Sequence, residues 1–208
     1  LFEAFSFGGN SLYTDKELLA TVYANGGINE AGIGGLSKTD LSKMMSGKIA
    51  SVSPSIGLTT ENLRGQAAPK DLETLFQMVY LYFTDVNKDA EAYQSFISKQ
   101  KSFLANIMSN PNFYFSDQIQ QFQNKGNPRY VGFPTVADLD AADYDLAYTK
   151  FLERFEDAGD FNFYFVGNVD EQQLKAFSEK YIASLPTANS NETFNPTQFR
   201  KADTYQKK

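Results

Sequence analysis

The sequence predicts a two-layer α+β domain. Strand-like and helix-like segments follow one another without the regular βαβ alternation of a parallel sheet. No segment repeats at a fixed period. The 208 residues are 42% hydrophobic and 21% charged, an ordinary globular composition with length enough to bury one sizeable core.

Residues 1–7 read as a strand that Gly8-Gly9-Asn10 ends. Leu1-Phe2-Glu3-Ala4-Phe5 has the form of neither a start nor a signal peptide, so the strand is expected to be truncated from a longer natural sequence. Thr14-Asp15-Lys16-Glu17 has the spacing of a capping box. It predicts a helix to about Tyr23 with Leu18, Leu19 and Val22 inward, stopped by Asn25-Gly26-Gly27. Ser37 through Asp40 caps a second short helix running to Met45.

Residues 49–56 alternate, with Ala50, Val52 and Ile56 on one face and Ser51, Ser53 and Ser55 on the other. That period of two predicts a half-buried strand, and Gly57 turns the chain so that Glu61–Ala67 returns antiparallel. Pro69 suits the first turn of a helix whose inward face is Leu72, Leu75, Phe76, Val79, Tyr80 and Phe83. A longer helix carries Ala92, Tyr93, Phe96, Ile97, Leu104, Ile107 and Met108, and Asn110-Pro111 ends it. Phe113–Phe122 is a shorter helix and Lys125–Pro134 a loop. Asp143 opens a helix with Ala147, Phe151 and Phe155 inward, which Gly159 closes. Phe161, Phe163 and Phe165 alternate with polar neighbours in a strand over 160–166. A last helix over 170–184 buries Leu174, Phe177 and Tyr181. The expected domain is therefore 1–186, followed by a polar linker or tail over 187–208.

Composition excludes several functions. The net charge is −6 and the basic runs, Lys99–Lys101 and Lys207–Lys208, are short, so nucleic acid is not an expected partner. No stretch is long and apolar enough to span a membrane. The chain has no His and no Cys, which removes imidazole bases, thiol nucleophiles and the two best zinc ligands. No catalytic, metal or cofactor-binding residue is therefore assigned, and a carboxylate-only enzyme is a remote third reading. Asp138, Asp140, Asp143 and Asp145 are close in sequence but lack the central Gly and terminal Glu of a calcium loop, and read as helix caps. Asn25-Gly26-Gly27 through Gly34-Gly35 lacks a phosphate-loop ending and reads as a turn between helices. Arg129-Tyr130 reads as a surface pair on a loop, and Asn191-Glu192-Thr193 is an uninformative sequon. The 19 Phe and 12 Tyr fall mostly at core spacings.

A series of phrases then falls in one order. It begins with Gly34-Gly35-Leu36-Ser37, Asp40-Leu41, Gly47-Lys48 and Pro54-Ser55-Ile56. It continues through Pro69-Lys70-Asp71-Leu72-Glu73-Thr74-Leu75, Tyr80-Leu81-Tyr82-Phe83-Thr84, Asn110-Pro111 and Phe115-Ser116-Asp117. It ends with Arg154-Phe155, Ala158-Gly159-Asp160-Phe161-Asn162-Phe163, Val166-Gly167-Asn168 and Tyr181-Ile182-Ala183-Ser184-Leu185-Pro186. Over residues 4–186 the chain thus resembles the insulinase/pitrilysin (inverzincin) family of zinc metallopeptidases, in its long bacterial members. The resemblance implies a two-layer α/β sandwich, with a mostly antiparallel sheet covered on one side by helices, the metallopeptidase-like or LuxS-like fold. Such proteins carry four related αβ domains, and this chain looks like the third.

The family's chemistry uses an HxxEH helix, a Glu on a later helix and a zinc-bound water. Here the first helix reads Leu18-Leu19-Ala20-Thr21-Val22-Tyr23, and the later one, over 89–109, has no acid beyond Glu91. The resemblance therefore implies a non-catalytic domain, with no cofactor of its own and zinc held by another domain of the parent. Its expected partners are the other domains of that polypeptide and an unfolded peptide enclosed in a chamber they form together. The substrate-contacting Arg/Tyr pair of some members lies in their last domain and is not transferred to Arg129 or Tyr130. Long bacterial members are typically exported, so a periplasmic location is expected. The alternative is a stand-alone interaction or assembly domain, as in non-catalytic relatives that serve as core subunits of respiratory complexes.

Overall fold

The computed structural model describes residues 1–188 and 190–196. Its sheet has four strands, β1 (Phe2–Phe7), β2 (Ala50–Ile56), β3 (Thr60–Ala67) and β4 (Asn162–Phe165). Their spatial order is β2-β3-β1-β4, and every neighbouring pair is antiparallel. The α+β class and the antiparallel sheet expected from the sequence are both present.

The register gives the sheet two distinct faces. Phe2 pairs with Gly65 and Phe165, and Ala4 with Leu63 and Phe163, so these side chains share one face. That face is covered by α4 (Leu72–Thr84) and α8 (Tyr144–Phe155), which bring Phe76, Val79, Phe83, Phe151 and Phe155 against it. Aromatic rings make much of this contact. Phe165 stacks on Phe76 at 4.9 Å and lies 5.1 Å from Phe2, and Phe83 meets Phe161 edge-on at 4.9 Å. Each such ring removes a large apolar area from water.

The remaining helices build outward from this layer. They are α1 (Asp15–Thr21), α2 (Asn25–Ala31), α3 (Lys38–Met44), α5 (Ala90–Ile107), α6 (Pro111–Gln123), α7 (Val136–Ala141) and α9 (Glu171–Phe177). Their starts are capped as the sequence suggests. Thr14 and Glu17 satisfy one another's backbone donors, and Ser37, Asp89, Asn110, Asp143 and Asp170 each accept N–H groups of a first turn.

Three expectations are corrected. Asn25-Gly26-Gly27 does not stop a helix but opens α2, and α1 has already closed at Thr21. A Cβ on Gly26 would lie 2.6 Å from the Phe96 ring, and one on Gly27 2.5 Å from Tyr93. These glycines allow α2 and α5 to approach closely; they are packing residues rather than terminators. The turn between helices is confined to the Gly32–Gly35 segment, where the Asn87 side chain donates to the carbonyls of Ala31 and Leu36 and accepts from Gly35. Leu19 is not inward but 49% exposed, because the buried stripe of α1 is Leu18 and Thr21. Finally, the last helix is interrupted. After Phe177 it widens into a π turn over Ser178–Ile182, and Tyr181 packs against Phe76 and Tyr80.

Phe76 lies at the middle of this layer, fully buried and in ring contact with β4 and the C-terminal turn. Phe76→Ala is expected to cost about 3–5 kcal/mol. Urea denaturation checks this: the midpoint should fall with little change in slope.

Candidate functional site

The helix on which the sequence resemblance would put the zinc motif is α1. Its two buried side chains are Leu18, which is aliphatic, and Thr21, whose hydroxyl donates to the Glu17 carbonyl at 2.8 Å. A catalytic zinc needs three nitrogen, sulfur or carboxylate ligands and an open position. The residues here do not fit that group, and the one acid of α5, Glu91, is exposed in its first turn. Among the described residues no three His, Cys, Asp or Glu side chains are arranged to hold a metal ion.

The four aspartates near the start of α8 are dispersed. Asp138 completes a capping box with Thr135, and Asp143 accepts from Leu146 N–H at 2.9 Å. Asp140 pairs with Lys101, and Asp145 pairs with Lys88 at 2.8 Å. Arg129 is not the surface residue expected. Its guanidinium is largely buried and donates to the carbonyls of Asn10 at 2.6 Å and Tyr13 at 2.8 Å, and to Asp15 at 2.9 Å. It straps the loop before α6's successor, α7, to the segment before α1; its neighbour Tyr130 is half-buried.

A charged cluster that the sequence reading did not identify lies beside α1 and α8. Glu61, on the covered face of β3, is 1% exposed and accepts the Gly9 N–H at 2.6 Å. Burial raises its carboxyl above the usual glutamate range, against that hydrogen bond and the nearby Arg154 guanidinium. Tyr13, also buried, has its phenol pushed up by desolvation. Lys150 bridges Glu17 at 3.0 Å and Glu153 at 2.9 Å. The Thr14 backbone N–H, Lys150 and the Thr14 hydroxyl together lower Glu17 to about 2. Only the Thr14–Glu17 capping box in this cluster had a local sequence signature. Glu61 lies 52 residues from its N–H donor, beyond the reach of any short motif.

Arg154 also holds the segment after the domain. Its guanidinium takes both carboxylate oxygens of Glu192, at 2.5 and 3.2 Å. Asp157 accepts the N–H groups of Ala188 at 2.9 Å and Ser190 at 2.8 Å, with Gly159 N–H and the Ser190 hydroxyl. Burial works against its charge, but these four donors hold its carboxyl well below the usual aspartate range. Asp160 accepts from Asn191 and Glu192 N–H, so the exposed sequon asparagine is anchored through its backbone. Asn195 then donates twice to Ser11. The described part of the polar tail, 187–188 and 190–196, is thus a strap bound to the domain; residues 189 and 197–208 lie outside the described residues.

Among the described residues, the second face of the sheet carries no helix. Glu3, Phe5 and Phe7 of β1, Asn62 and Arg64 of β3, Ser51, Ser53 and Ser55 of β2, and Asn162 and Tyr164 of β4 lie on it by register. Its aromatic rings form a row. Tyr164 stacks on Phe5 at 5.9 Å, Phe5 meets Phe7 edge-on at 5.7 Å, and Phe194 of the strap lies 6.0 Å beyond Phe7. Beside Tyr164 the row runs into a shallow groove of about 350 Å³, lined by Leu1, Glu3, Arg64, Gly65 and Val166.

No protein-family model matches the chain. The resemblance to zinc proteases is nevertheless found by direct comparison. The chain is 21% identical over 196 residues to the probable zinc protease PqqL of Haemophilus influenzae, covering 94% of this chain and 21% of that protein. Its fold is that of a domain in the periplasmic protease PqqL from Escherichia coli, with a TM-score of 0.71 and 21% identity over 94% of this chain and 21% of that one. It also matches a protease from Helicobacter pylori, with a TM-score of 0.69 and 11% identity over 94% of this chain and 47% of that one. The ferredoxin protease FusC, solved with Arabidopsis ferredoxin, matches with a TM-score of 0.64 and 18% identity over 89% of this chain and 20% of that one. The chain spans about a fifth of the length of the curated relative it matches.

The site geometry makes two measurable predictions. Because the Glu17 carboxyl is lowered in the folded state, its contribution is present above the usual glutamate value and fades as pH falls toward about 2. Glu17→Gln is expected to reduce stability at pH 7 and to flatten the loss on acidification from about 4.5 to about 2, read from urea midpoints across pH. Asp157→Asn removes the charge that anchors the strap. Hydrogen exchange of the Ala188 and Ser190 amides should accelerate at least about tenfold, while β1 amides remain protected.

Proposed function

We propose that this chain is a non-catalytic domain of a zinc-dependent peptidase, one that helps to enclose a peptide and packs against the zinc-bearing half of the same polypeptide. The observation that carries this reading is the end-to-end similarity to a zinc protease about five times longer, combined with a motif helix whose buried positions are Leu18 and Thr21. A chain of this kind contributes shape and contact surface, and the peptide bond is cut elsewhere. Zinc in the parent would sit on another domain. The similarity to a periplasmic protease supports an exported, periplasmic setting.

The open sheet face is the natural inner wall. Among the described residues it has no covering layer of helices, and it presents rings and short polar side chains together with the Glu3–Arg64 ion pair. Peptide enclosed by such a wall meets apolar contact area and hydrogen-bonding groups together.

Reconstitution tests the reading. This chain is titrated into the separately produced zinc-bearing half of its parent, together with the parent's last domain, and cleavage of a quenched peptide is followed. Activity should rise saturably with added chain and should be absent with the chain alone. Zinc-dependent cleavage by the chain alone would overturn the proposal. Cleavage that is indifferent to the folded chain would leave the assembly-domain reading in its place.

A further inference from the structure

The aromatic row on the open face is built like a binding strip and already holds one occupant. Phe7 and Tyr164 are 45% and 51% exposed, although each touches another ring. Successive ring centroids from Phe194 through Phe7 and Phe5 to Tyr164 are 6.0, 5.7 and 5.9 Å apart. Side chains on one face of an extended peptide recur every ~6.6 Å, two residues at about 3.3 Å each. The two spacings nearly match, so an extended peptide laid along the row can set alternate side chains against successive rings.

The strap shows the mode of contact. Its residues approach through backbone hydrogen bonds to Asp157, Asp160 and Ser11, and one aromatic side chain, Phe194, is delivered to the end ring. Phe194 is itself 44% exposed, so it caps the row without burying it. At the far end the groove between Tyr164, Val166 and Arg64 offers apolar walls, with the Glu3–Arg64 pair at 2.9 Å as polar contacts for a peptide backbone.

We propose that the Phe7–Phe5–Tyr164 row is a docking strip for an extended peptide segment bearing aromatic side chains, and that Phe194 of the strap is an intramolecular occupant competing for its Phe7 end. This names the part of the wall that meets peptide, and so rests on the reading of the chain as one face of a peptide-enclosing protein. The strip favours aromatic over aliphatic partners because ring pairs in offset or edge-on geometry gain more than their buried area alone supplies. Anchoring of the strap by Arg154 and Asp157 keeps the competing ring close at hand, so release of the strap lengthens the free strip by one ring.

The test uses the full chain and two short unstructured peptides, one with two Phe residues two positions apart and one with both replaced by Ala. Binding is measured by anisotropy of a labelled peptide and mapped by amide shifts. The Phe peptide should bind at least about tenfold more tightly than the Ala peptide, a difference of about 1.4 kcal/mol. Phe194→Ala should tighten binding about threefold, and Tyr164→Ala, on the edge strand and away from the core, should weaken it at least about threefold. Amide shifts should fall on β1 and β4. Equal binding of the two peptides, or unchanged affinity in Phe194→Ala and Tyr164→Ala, overturns the proposal. The outcome is independent of reconstitution: a strip that binds in a chain that restores no cleavage sinks the peptidase reading alone, and restored cleavage with an inert strip sinks this inference alone.

Discussion

The whole domain depends on the pairing of β1 in the middle of the sheet. The first strand in sequence is not an edge: it is hydrogen-bonded to β3 from Phe2 to Phe7 and to β4 from Phe2 to Phe5. Without it the sheet would fall into a lone β2–β3 hairpin and a four-residue strand with no partner. A two-stranded hairpin is marginal in water. The pairing also closes the chain on itself, since β4 lies some 160 residues after β1, and the Leu1 and Val166 backbones extend the ladder by two further bonds. The helical segments between these strands fold back beneath one face, where α4 and α8 lie against the sheet and the other helices build outward from them.

That layer is fastened by aromatic contact on one side and by charge on the other. Around α4 the contacts are rings: Phe76 on Phe165, Phe83 on Phe161. Around α1 and α8 they are ionic. Glu61 brings a carboxylate under the sheet, and Arg154, Lys150 and Glu17 surround the approach to it. A buried acid costs desolvation that a hydrophobic residue would not, so Glu61 is better understood as fixing a geometry than as adding stability. It fixes the backbone at Gly9, where φ is +56° and a Cβ would stand 2.6 Å from the Gly57 carbonyl. The turn after β1, the β2–β3 turn and the strap all converge on that point.

Much of this was legible in the sequence because it is periodic or local. The helix faces of α4, α5 and α8, the alternation of β2 and β4, and the caps at Thr14, Ser37 and Asp143 are repeated signals within a few residues. The failures are of a different kind. Gly26 and Gly27 look like terminators in isolation; their role is set by Phe96 and Tyr93, which lie some 70 residues away. Arg129 sits in a loop, and its carbonyl partners Asn10 and Tyr13 are more than 110 residues distant. The α7 helix has a local signature, the Thr135–Asp138 capping box, but the helix that follows is only six residues long and gives little periodicity. The composition of the strap reads as that of a free linker, yet its hydrogen bonds go to Asp157 and Asp160, whose role as acceptors shows only in three dimensions. For the site, the missing histidines could be read directly, whereas the aromatic row required the register of β1 against β4 and the path of the strap.

The side chains that α1 buries have a simple structural consequence. A catalytic zinc site needs polar side chains held at fixed angles in a cleft, and such sites are strained relative to a packed core. With Leu18 and Thr21 buried, the face of α1 toward α8 is closed by ordinary packing. The domain is then free of the demand to keep a cleft open on its helical side. On the open face of the sheet, Phe7, Phe5 and Tyr164 are set in a line. An apolar row maintained in water is worth its solubility penalty only if something is brought to it.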